Sequence, residues 1–434
     1  MPEDLRNRLG RRASFITVIA ALVLAGFILR LAFGVGYWVG KPLTRDEREY
    51  LLLAARVAAG QGFNYPPAPE SNPLSRHFER PPMFPFVLAG VLRIAGDPLV
   101  KSGADDAAMP RSSSEVSYSI RIAQSMLGAF GILLIAAFAG RAAGPWAAVA
   151  ATCIAAVYPP LVWMCAYVLA EPLYSALALA AALLVQKASA HSAGQSLRLA
   201  FSAGVLAGFA LLTKEAMLAF LPLAALWLVF RRRSSLAALL LAGAALVAVP
   251  WAVRNYVVEH RFVLTAAHGG ITLWTGNNPW ARGEGDLSAN PEMAKARLAF
   301  EDRHPGSNSQ DLDGLYYREV FQFVTEHPVE WATLCARKLF YTFVPIGPSY
   351  RQHSRLYYVA SVVSIGALAP FAVIGLWRLI ERGHLADSWG LALLFVSTVL
   401  VGLVFSPQER FRIPVMDPTL IVMAAACFGW KRWN

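Results

Sequence analysis

Charged residues are scarce in this sequence. They make up 15% of its 434 residues, whereas hydrophobic residues make up 56%. In soluble globular domains about a quarter of the residues are charged, so the composition excludes an ordinary soluble protein. Long apolar stretches recur along the whole chain and are continuous rather than alternating. Because lipid offers the backbone no hydrogen-bond partners, this pattern predicts an all-α polytopic membrane protein.

Cysteines and acidic residues are also few. The four cysteines lack the spacing of a metal site. The 28 acidic residues are outnumbered by 39 basic ones, which gives a net charge of +11. Short cytoplasmic loops of membrane proteins are rich in Lys and Arg, so no nucleic-acid partner is predicted. Membrane lipid headgroups or a phosphate-bearing substrate could use the remaining positive charge.

Apolar segments of about 20 residues predict about ten transmembrane helices. They lie near residues 14–36, 117–140, 145–164, 168–187, 198–213, 215–230, 235–253, 356–379, 388–406 and 413–430. The first is too long for a signal-peptide core and is interpreted as a retained span. A further apolar segment, residues 81–96, is too short to span and predicts an interfacial helix.

Basic residues in the short loops place both termini in the cytoplasm. Those residues are Arg6, Arg8, Arg11, Arg12, Arg141, Lys187, Arg198, Arg231, Arg232, Arg233, Arg378, Arg382, Lys431 and Arg432. We therefore divide the chain into a tail and first span (1–40), a first extracytoplasmic loop (41–116), helices two to seven (117–253), a second extracytoplasmic loop (254–355) and helices eight to ten (356–434). Long loops often carry function.

Charged residues in or beside the predicted spans are candidates for function, because a charge in lipid is costly. They are Arg30, Arg121, Glu171, Lys214, Glu215, Arg254, Arg410 and Arg412. On the predicted topology all of them lie near the outer ends of their helices. This asymmetry favours a site open to the outer leaflet over a transporter, whose polar groups are more often at the midplane. Snorkelling to the interface stays open as an alternative for the basic residues.

The segment K-P-L-T-R-D-E-R-E-Y, which starts at Lys41, places two adjacent acids at the start of a predicted helix. Thr44 and Glu47 fit a capping box. Asp46 falls in the first turn, where the helix dipole favours an acid. Helix capping alone can therefore account for both acids, and a catalytic role for Asp46 stays open beside it.

Three further motifs combine charged residues with turn residues. They are E-R-P-P (Glu79, Arg80), P-W-A-V-R-N with a later G-N-N-P (Arg254, Asn255), and R-F-R-I-P (Arg410, Arg412). Guanidinium groups beside the bilayer suit the binding of phosphate. His268 could ligate a metal or be an ordinary loop histidine.

Together the D-E-x-x-Y, E-R-P-P, P-W-x-x-R-N and R-F-R-x-P motifs resemble those of GT-C glycosyltransferases. The sequence is most similar to the protein O-mannosyltransferase superfamily and the lipid A aminoarabinose transferases, in a bacterial glycosyltransferase family 39-like pattern. The resemblance implies a GT-C fold with interfacial helices in the first outer loop and a second long outer loop. It also implies transfer of a sugar, with inversion, from a polyprenyl-phosphate donor to an extracytoplasmic acceptor. The expected location is the bacterial inner membrane, with the active site facing the periplasm.

The resemblance also implies roles for individual residues. Asp46 corresponds to the general base, with Glu47 in support, and Arg80 corresponds to a contact of the carrier phosphate. Arg254, Arg410 and Arg412 complete a cationic pocket. The remaining candidates for binding substrate or phosphate are Tyr50, Glu171, Lys214 and Asn255. Glu79 corresponds to an acid linked to a metal, with His268 as a loosely placed partner, so a divalent metal cofactor stays open.

Two features of the resembling families have no counterpart in the sequence. We expect neither the soluble C-terminal domain of the aminoarabinose transferases nor the large luminal module of the eukaryotic O-mannosyltransferases. The acceptor therefore stays open between a lipid, a glycan and a protein. Three other functions also stay open: an oligosaccharide polymerase or ligase with a diphosphate-linked donor, a lipid-carrier flippase or transporter, and a non-catalytic scaffold.

Overall fold

The computed structural model describes residues 3–64, 80–101, 109–190, 192–260, 262–266, 269–284, 290–305, 307, 309–346 and 354–429. The first part of the chain forms α1 (Glu3–Ala32, continued by a π-helical turn Phe33–Tyr37), α2 (Arg45–Ala58), α3 (Met83–Ala95) and α4 (Pro98–Lys101). The central part forms α5 (Tyr118–Ala143), α6 (Pro145–Val157), α7 (Pro159–Ala166), α8 (Glu171–Ala188), α9 (Ala193–Leu211), α10 (Met217–Phe230) and α11 (Ser234–Glu259). The last part forms α12 (Gly269–Gly276), α13 (Pro291–Asp302), α14 (Ser309–Glu326), α15 (Pro328–Phe343), α16 (Arg355–Glu381), α17 (Trp389–Val404), α18 (Glu409–Arg412) and α19 (Met416–Ala425).

The helices confirm an all-α membrane protein, and each of the ten predicted spans coincides with a helix or a helix pair. Among the described residues, five helices are long and apolar enough to cross a membrane: residues 13–37, α5, residues 234–258 of α11, α16 and residues 385–404, which include α17. The pair α6 and α7 would make a sixth, with a bend of 51° between its halves. The predicted count of ten spans is therefore not confirmed.

Proline causes the bend between α6 and α7. The sequence Tyr158-Pro159 interrupts the helix, because proline lacks an amide hydrogen and disfavours helical geometry in the residue before it. Arg30 of α1 compensates for the interruption: its guanidinium donates to the carbonyl oxygens of Ala156 at 2.9 Å and Ala155 at 2.8 Å. Arg30 is 1% exposed, so this buried arginine has a structural role.

Small residues bring α9 and α11 into close contact. A Cβ on Gly204 would lie 2.1 Å from the carbonyl oxygen of Leu240, which leaves room only for glycine. Such stripes of small residues allow helix backbones to approach closely in membranes. These helices belong to the main apolar core, which α5, α6, α8, α10 and α19 also line.

The helices α2 and α3 of the first long segment pack against each other rather than lying separately on the surface. Tyr50 and Leu53 of α2 belong to the same buried cluster as Phe84, Leu88 and Leu92 of α3. The tyrosine ring meets the ring of Phe84 edge-on, with centroids 5.0 Å apart. The predicted helix over residues 81–96 is therefore present as α3, and it anchors α2 over the end of the bundle.

A buried lysine joins the second long segment to the C-terminal end of α17. The Nζ of Lys338, on α15, donates to Oδ1 of Asn277 at 2.8 Å and to the carbonyl oxygen of Leu403 at 2.9 Å. Close backbone contact supports the same junction, since a Cβ on Gly276 would lie 1.7 Å from the carbonyl oxygen of Phe405. The segment that leads into α18 is therefore held against α12.

The buried lysine should make stability depend on pH. Burial lowers the pKa of Lys338 from its ordinary value of 10.5 to about 8. Between these pH values the unfolded chain holds a proton that the folded protein has released, so stability rises with pH across this window. We expect the free energy of unfolding of the wild type to gain about 3 kcal/mol over the window relative to Lys338→Met. Thermal unfolding of both proteins in detergent, on either side of the window, measures this, and parallel pH dependences would contradict it.

Candidate active site

A cavity of about 380 Å³ lies at one end of the helix bundle, where α2 and α8 begin. Its volume is in the range of small-molecule sites. The charged residues that line it are Arg45, Asp46, Arg80, Glu171, Lys214, Glu215, Arg297, Glu301, Asp313 and Arg410. Five of the predicted site residues, Asp46, Arg80, Glu171, Lys214 and Arg410, are thus brought to one cavity, and Tyr50 also lines it.

Asp46 lies between two arginines. Its Oδ1 accepts a hydrogen bond from Arg80 and its Oδ2 one from Arg410, each at 2.5 Å. Burial alone would raise the pKa of Asp46, but the charges and hydrogen bonds of Arg410 and Arg80 outweigh it and hold that pKa well below its usual range. In this arrangement Asp46 is an ionised carboxylate with both oxygens engaged.

A second acid, Glu49, fixes the orientation of Arg80. Its Oε2 accepts from Nε of Arg80 at 2.7 Å, and its Oε1 accepts from Nε of Arg45 at 2.7 Å. The guanidinium carbon of Arg80 also lies 5.4 Å from the ring centre of Tyr50. Sequence reasoning missed Glu49, although its place three residues after Asp46 puts both acids on one helical face.

Lys214 supplies a further cation to the cavity, beside Arg80 and Arg410. Its Nζ donates to Oε1 of Glu171 at 2.7 Å and lies 4.4 Å from the ring centre of Phe411. Glu171 begins α8, and its side chain is 6% exposed. Both members of the pair line the cavity, so Glu171, which was predicted as a candidate for binding substrate or phosphate, is paired with a lysine of the same site.

Glu47 has structural contacts and does not line the cavity. It forms the predicted capping box with Thr44: its Oε2 accepts from the Thr44 amide at 2.8 Å, and its own amide donates to the Thr44 hydroxyl. Its Oε1 accepts from the amide of Val168 at 2.9 Å. Burial raises the pKa of Glu47 and is opposed by these hydrogen bonds. The residue therefore ties the start of α2 to the segment before α8.

Two substitutions of Glu47 separate this structural role from a catalytic one. Glu47→Ala leaves the buried Val168 amide without its acceptor and removes half of the capping box, so we expect a loss of about 3 kcal/mol in stability. Glu47→Gln keeps one acceptor oxygen for one of the two backbone amides, so it should lose less stability than Glu47→Ala and retain most of the turnover. Thermal unfolding and a transfer assay on both variants measure these effects. A well-folded Glu47→Gln protein without activity would assign Glu47 to the chemistry.

Besides Glu47, three predicted site residues among those described are not brought to the cavity. Arg254 donates to the carbonyl oxygen of Phe63 at 3.1 Å and lies over the ring of Trp251. Asn255 is fully buried and donates to the carbonyl oxygen of Val263 at 2.9 Å. Arg254 therefore ties α11 to the end of the segment after α2, and Asn255 holds the turn after α11, instead of extending the cationic pocket.

Arg412 is the third residue outside the cavity. It points into the fold and pairs with Asp417 of α19, with 3.1 Å between Nε and Oδ1. Both side chains are almost fully buried, at 4% and 0% exposure. This pair fixes α18, the short helix that also carries Arg410, so Arg412 contributes to the site through the position of its neighbour.

The metal prediction rests on two residues, Glu79 and His268, that lie outside the described residues. Within the described part of the chain, no group of three or more His, Cys, Asp or Glu side chains could hold a metal ion. Both oxygens of Asp46 are already bound to arginines. The described residues around Asp46 therefore do not fit a metal site.

The opposite wall of the cavity was not predicted. It comes from α12, α13 and α14 and includes Thr272, Thr275, Arg297, Glu301, Asp313 and Tyr316. Glu301 accepts from Nε of Arg297 at 2.8 Å and from the Tyr316 hydroxyl at 3.1 Å. These residues are 226 or more positions beyond Asp46 in the sequence, and no motif connects them with it.

Comparisons with known proteins agree with this architecture. Residues 113–254, less than half of the chain, match the family described as dolichyl-phosphate-mannose-protein mannosyltransferase. No match was found among curated proteins. The archaeal oligosaccharyltransferase AglB from Archaeoglobus fulgidus, solved with an inhibitory peptide and a dolichol-phosphate, is 14% identical, with a TM-score of 0.56 over 96% of this chain and 50% of that chain.

Two further solved structures are similar. The Archaeoglobus fulgidus oligosaccharyltransferase tethered with an acceptor peptide has 15% identity and a TM-score of 0.56 over 95% of this chain and 49% of its own. ArnT from Cupriavidus metallidurans, bound to undecaprenyl phosphate, has 14% identity and a TM-score of 0.43 over 96% of this chain and 78% of its own. This chain thus spans about half the length of the oligosaccharyltransferase. The likeness to AglB establishes the GT-C fold that the motifs predicted.

Proposed function

We propose that this protein is a membrane glycosyltransferase of the GT-C type that moves a sugar from a polyprenyl-phosphate donor to an extracytoplasmic acceptor with inversion. The observation that carries the proposal is the position of Asp46, a carboxylate at a capped helix start, among three cations in one cavity. The fold, the family match over residues 113–254 and the dolichol-phosphate bound to AglB support it.

The three cations suit the leaving group of this reaction. As the bond between the anomeric carbon and the phosphate oxygen breaks, the electron pair stays on the phosphate. Arg80, Lys214 and Arg410 can stabilise the charge that develops there, and fixed donors in a partly dry site are effective in this role. Arginine adds a forked geometry that matches phosphate oxygens.

Asp46 accepts the proton in this proposal. The acceptor hydroxyl attacks the anomeric carbon from the side opposite the phosphate, a new carbon–oxygen bond forms, and the hydroxyl proton moves to a carboxylate oxygen. With two arginines bound, Asp46 is a weak base because its pKa is low. When the donor phosphate draws Arg80 and Arg410 to itself, the pKa of Asp46 rises and the carboxylate becomes a stronger base. Donor binding thus prepares the base.

The division of the chain into two long outer segments is part of the proposal. The first segment, 41–116, supplies Asp46 and Arg80, and the second, 254–355, supplies the wall formed by α12 to α14. We place the cavity on the periplasmic side of a bacterial inner membrane, where the prenyl tail stays in lipid and the sugar lies in water.

A single assay tests the proposal. Purified protein is incubated with a polyprenyl-phosphate sugar and, in parallel, with its diphosphate-linked counterpart, and released or transferred sugar is measured. We expect the monophosphate to be consumed. Consumption of the diphosphate alone would favour a polymerase or ligase, and movement of an uncleaved lipid across a vesicle membrane would favour a flippase.

A further inference from the structure

The wall of the cavity formed by α12, α13 and α14 has no part in the proposed transfer chemistry. It is a preformed surface, because a small aromatic core supports it from behind. The rings of Phe300 and Tyr316 stack with centroids 4.6 Å apart, and the ring centre of Trp274 lies 5.3 Å from that of Tyr316. All three side chains are buried. A ligand would therefore meet polar groups whose positions are already fixed.

Hydrogen-bond acceptors dominate this wall. Glu215, in the turn before α10, extends it: one carboxylate oxygen accepts from the Thr265 hydroxyl at 2.9 Å, and no other hydrogen bond to this side chain occurs within the described part of the chain. Asp313 also lines this wall, and its Oδ1 accepts from the amides of Gly270 at 2.7 Å and Ile271 at 3.2 Å. Arg297, the guanidinium of this wall, is already paired with Glu301. The carboxylate oxygens of Glu215, Glu301 and Asp313 accept hydrogen bonds, so a ligand that carries donors fits this wall.

The two walls differ in the chemistry that they can bind. The first has more cations than acids, with Arg45, Arg80, Lys214 and Arg410 beside Asp46 and Glu171. The second has more acids than cations, with Glu215, Glu301 and Asp313 beside Arg297, and it also presents threonine hydroxyls. A molecule with a phosphate at one end and a polyol at the other satisfies both walls. A carboxylate directed at the second wall would meet like charges, which costs several kcal/mol in a confined site.

We propose that the wall formed by α12 to α14, together with Glu215, is a sugar subsite that accepts hydroxyl- or amino-bearing sugars and rejects carboxylated ones. Donor sugars and acceptor sugars present the same hydroxyl groups, and the experiment below distinguishes these two sources. This inference rests on the proposed function, since the phosphate at the first wall places the sugar against the second.

Matched probes test the subsite. The binding of polyprenyl phosphate, polyprenyl-phosphate glucose and polyprenyl-phosphate glucuronate to the purified wild type is compared, the last two differing only by a carboxylate in place of a hydroxymethyl group. We expect the glucuronate to bind at least about 10-fold more weakly than the glucose compound. Methyl glucoside and methyl glucuronide, measured with bare polyprenyl phosphate already bound, form the acceptor arm. A difference only in that arm assigns the subsite to the acceptor sugar.

Variants test whether the wall formed by α12 to α14 and Glu215 causes the discrimination between neutral and carboxylated sugars. Glu215→Gln removes one charge but keeps an acceptor for Thr265, and it should reduce the preference for the neutral probe several-fold without changing the affinity for bare polyprenyl phosphate. Glu319→Gln makes the same chemical change at an exposed position on α14 and should leave the preference unchanged. Equal binding of the neutral and carboxylated probes in both arms would overturn the inference. Failure of the wild type to bind bare polyprenyl phosphate would instead overturn the proposed function on which it rests.

Discussion

Asp46→Asn is expected to lower sugar transfer by at least about 100-fold, the usual contribution of a general base. This corresponds to about 2.7 kcal/mol in the activation barrier. The amide is close in shape to the carboxylate and can remain at the start of α2, where Thr44 and Glu47 cap the helix independently of it. The loss should therefore fall on turnover. Arg80 and Arg410 lose the charge of Asp46, although Glu49 still holds Arg80, and should bind bare polyprenyl phosphate as tightly as in the wild type or more tightly.

This combination of results separates catalysis from damage to the site. A variant that had merely lost its structure would lose both carrier binding and turnover, and its melting temperature would fall. Asp302→Asn makes the same chemical change at an exposed position at the end of α13 and should behave as the wild type. If purified Asp46→Asn keeps wild-type turnover, Asp46 is not the base and the proposed mechanism fails.

The helices were predictable because continuous hydrophobicity has few other structural solutions in a membrane protein. Each of the ten predicted apolar segments contains a helix. The number of helices that cross the membrane was harder to predict, because α6 and α7 form a bent pair and α10 and α19 are short. Apolar composition predicts a helix in lipid, but its length and tilt depend on neighbouring helices.

The sequence predicted only part of the candidate site, and there are physical reasons why it could not predict the other residues. Local motifs pointed to Asp46 and Arg80, but the contact between Asp46 and Arg410 joins residues 364 positions apart. Only the packed bundle brings such residues together. The carboxylates opposite Asp46 belong to amphipathic helices of the second long segment, where an acid that faces a cavity has the same sequence pattern as one that faces water.

Arg410 and Arg412 show that a sequence motif does not determine which of its residues faces the site. Both belong to R-F-R, and both were assigned to the cationic pocket. Positions two apart on a helix point in nearly opposite directions, about 200° around the axis. In α18 one side chain therefore reaches Asp46 and the other the buried Asp417. The motif could not show which arginine faces the site without the helix and its orientation.

Arg410→Gln is expected to reduce transfer by about 100- to 1,000-fold, the range observed when a fixed donor to a developing charge is removed. The effect should appear both in the affinity for bare polyprenyl phosphate and in the rate of the chemical step, because the negative charge on the phosphate is largest as it departs. Arg410→Lys keeps the charge but loses the fork, so its activity should lie between those of the wild type and Arg410→Gln. Steady-state kinetics with the donor, together with direct binding of the bare carrier, measure both effects.

The matched control for this substitution is a surface ion pair. Arg282 is paired with Glu292 at 2.9 Å, and both side chains are more than half exposed, at 52% and 69%. Because exposed ion pairs contribute little to stability, Arg282→Gln should change transfer by less than about twofold. A loss of activity in Arg410→Gln without any loss of carrier affinity would assign Arg410 to the transition state alone. Wild-type activity in Arg410→Gln would show that the donor phosphate does not bind to Arg410. The proposed rise in the pKa of Asp46 on donor binding would then lose its cause.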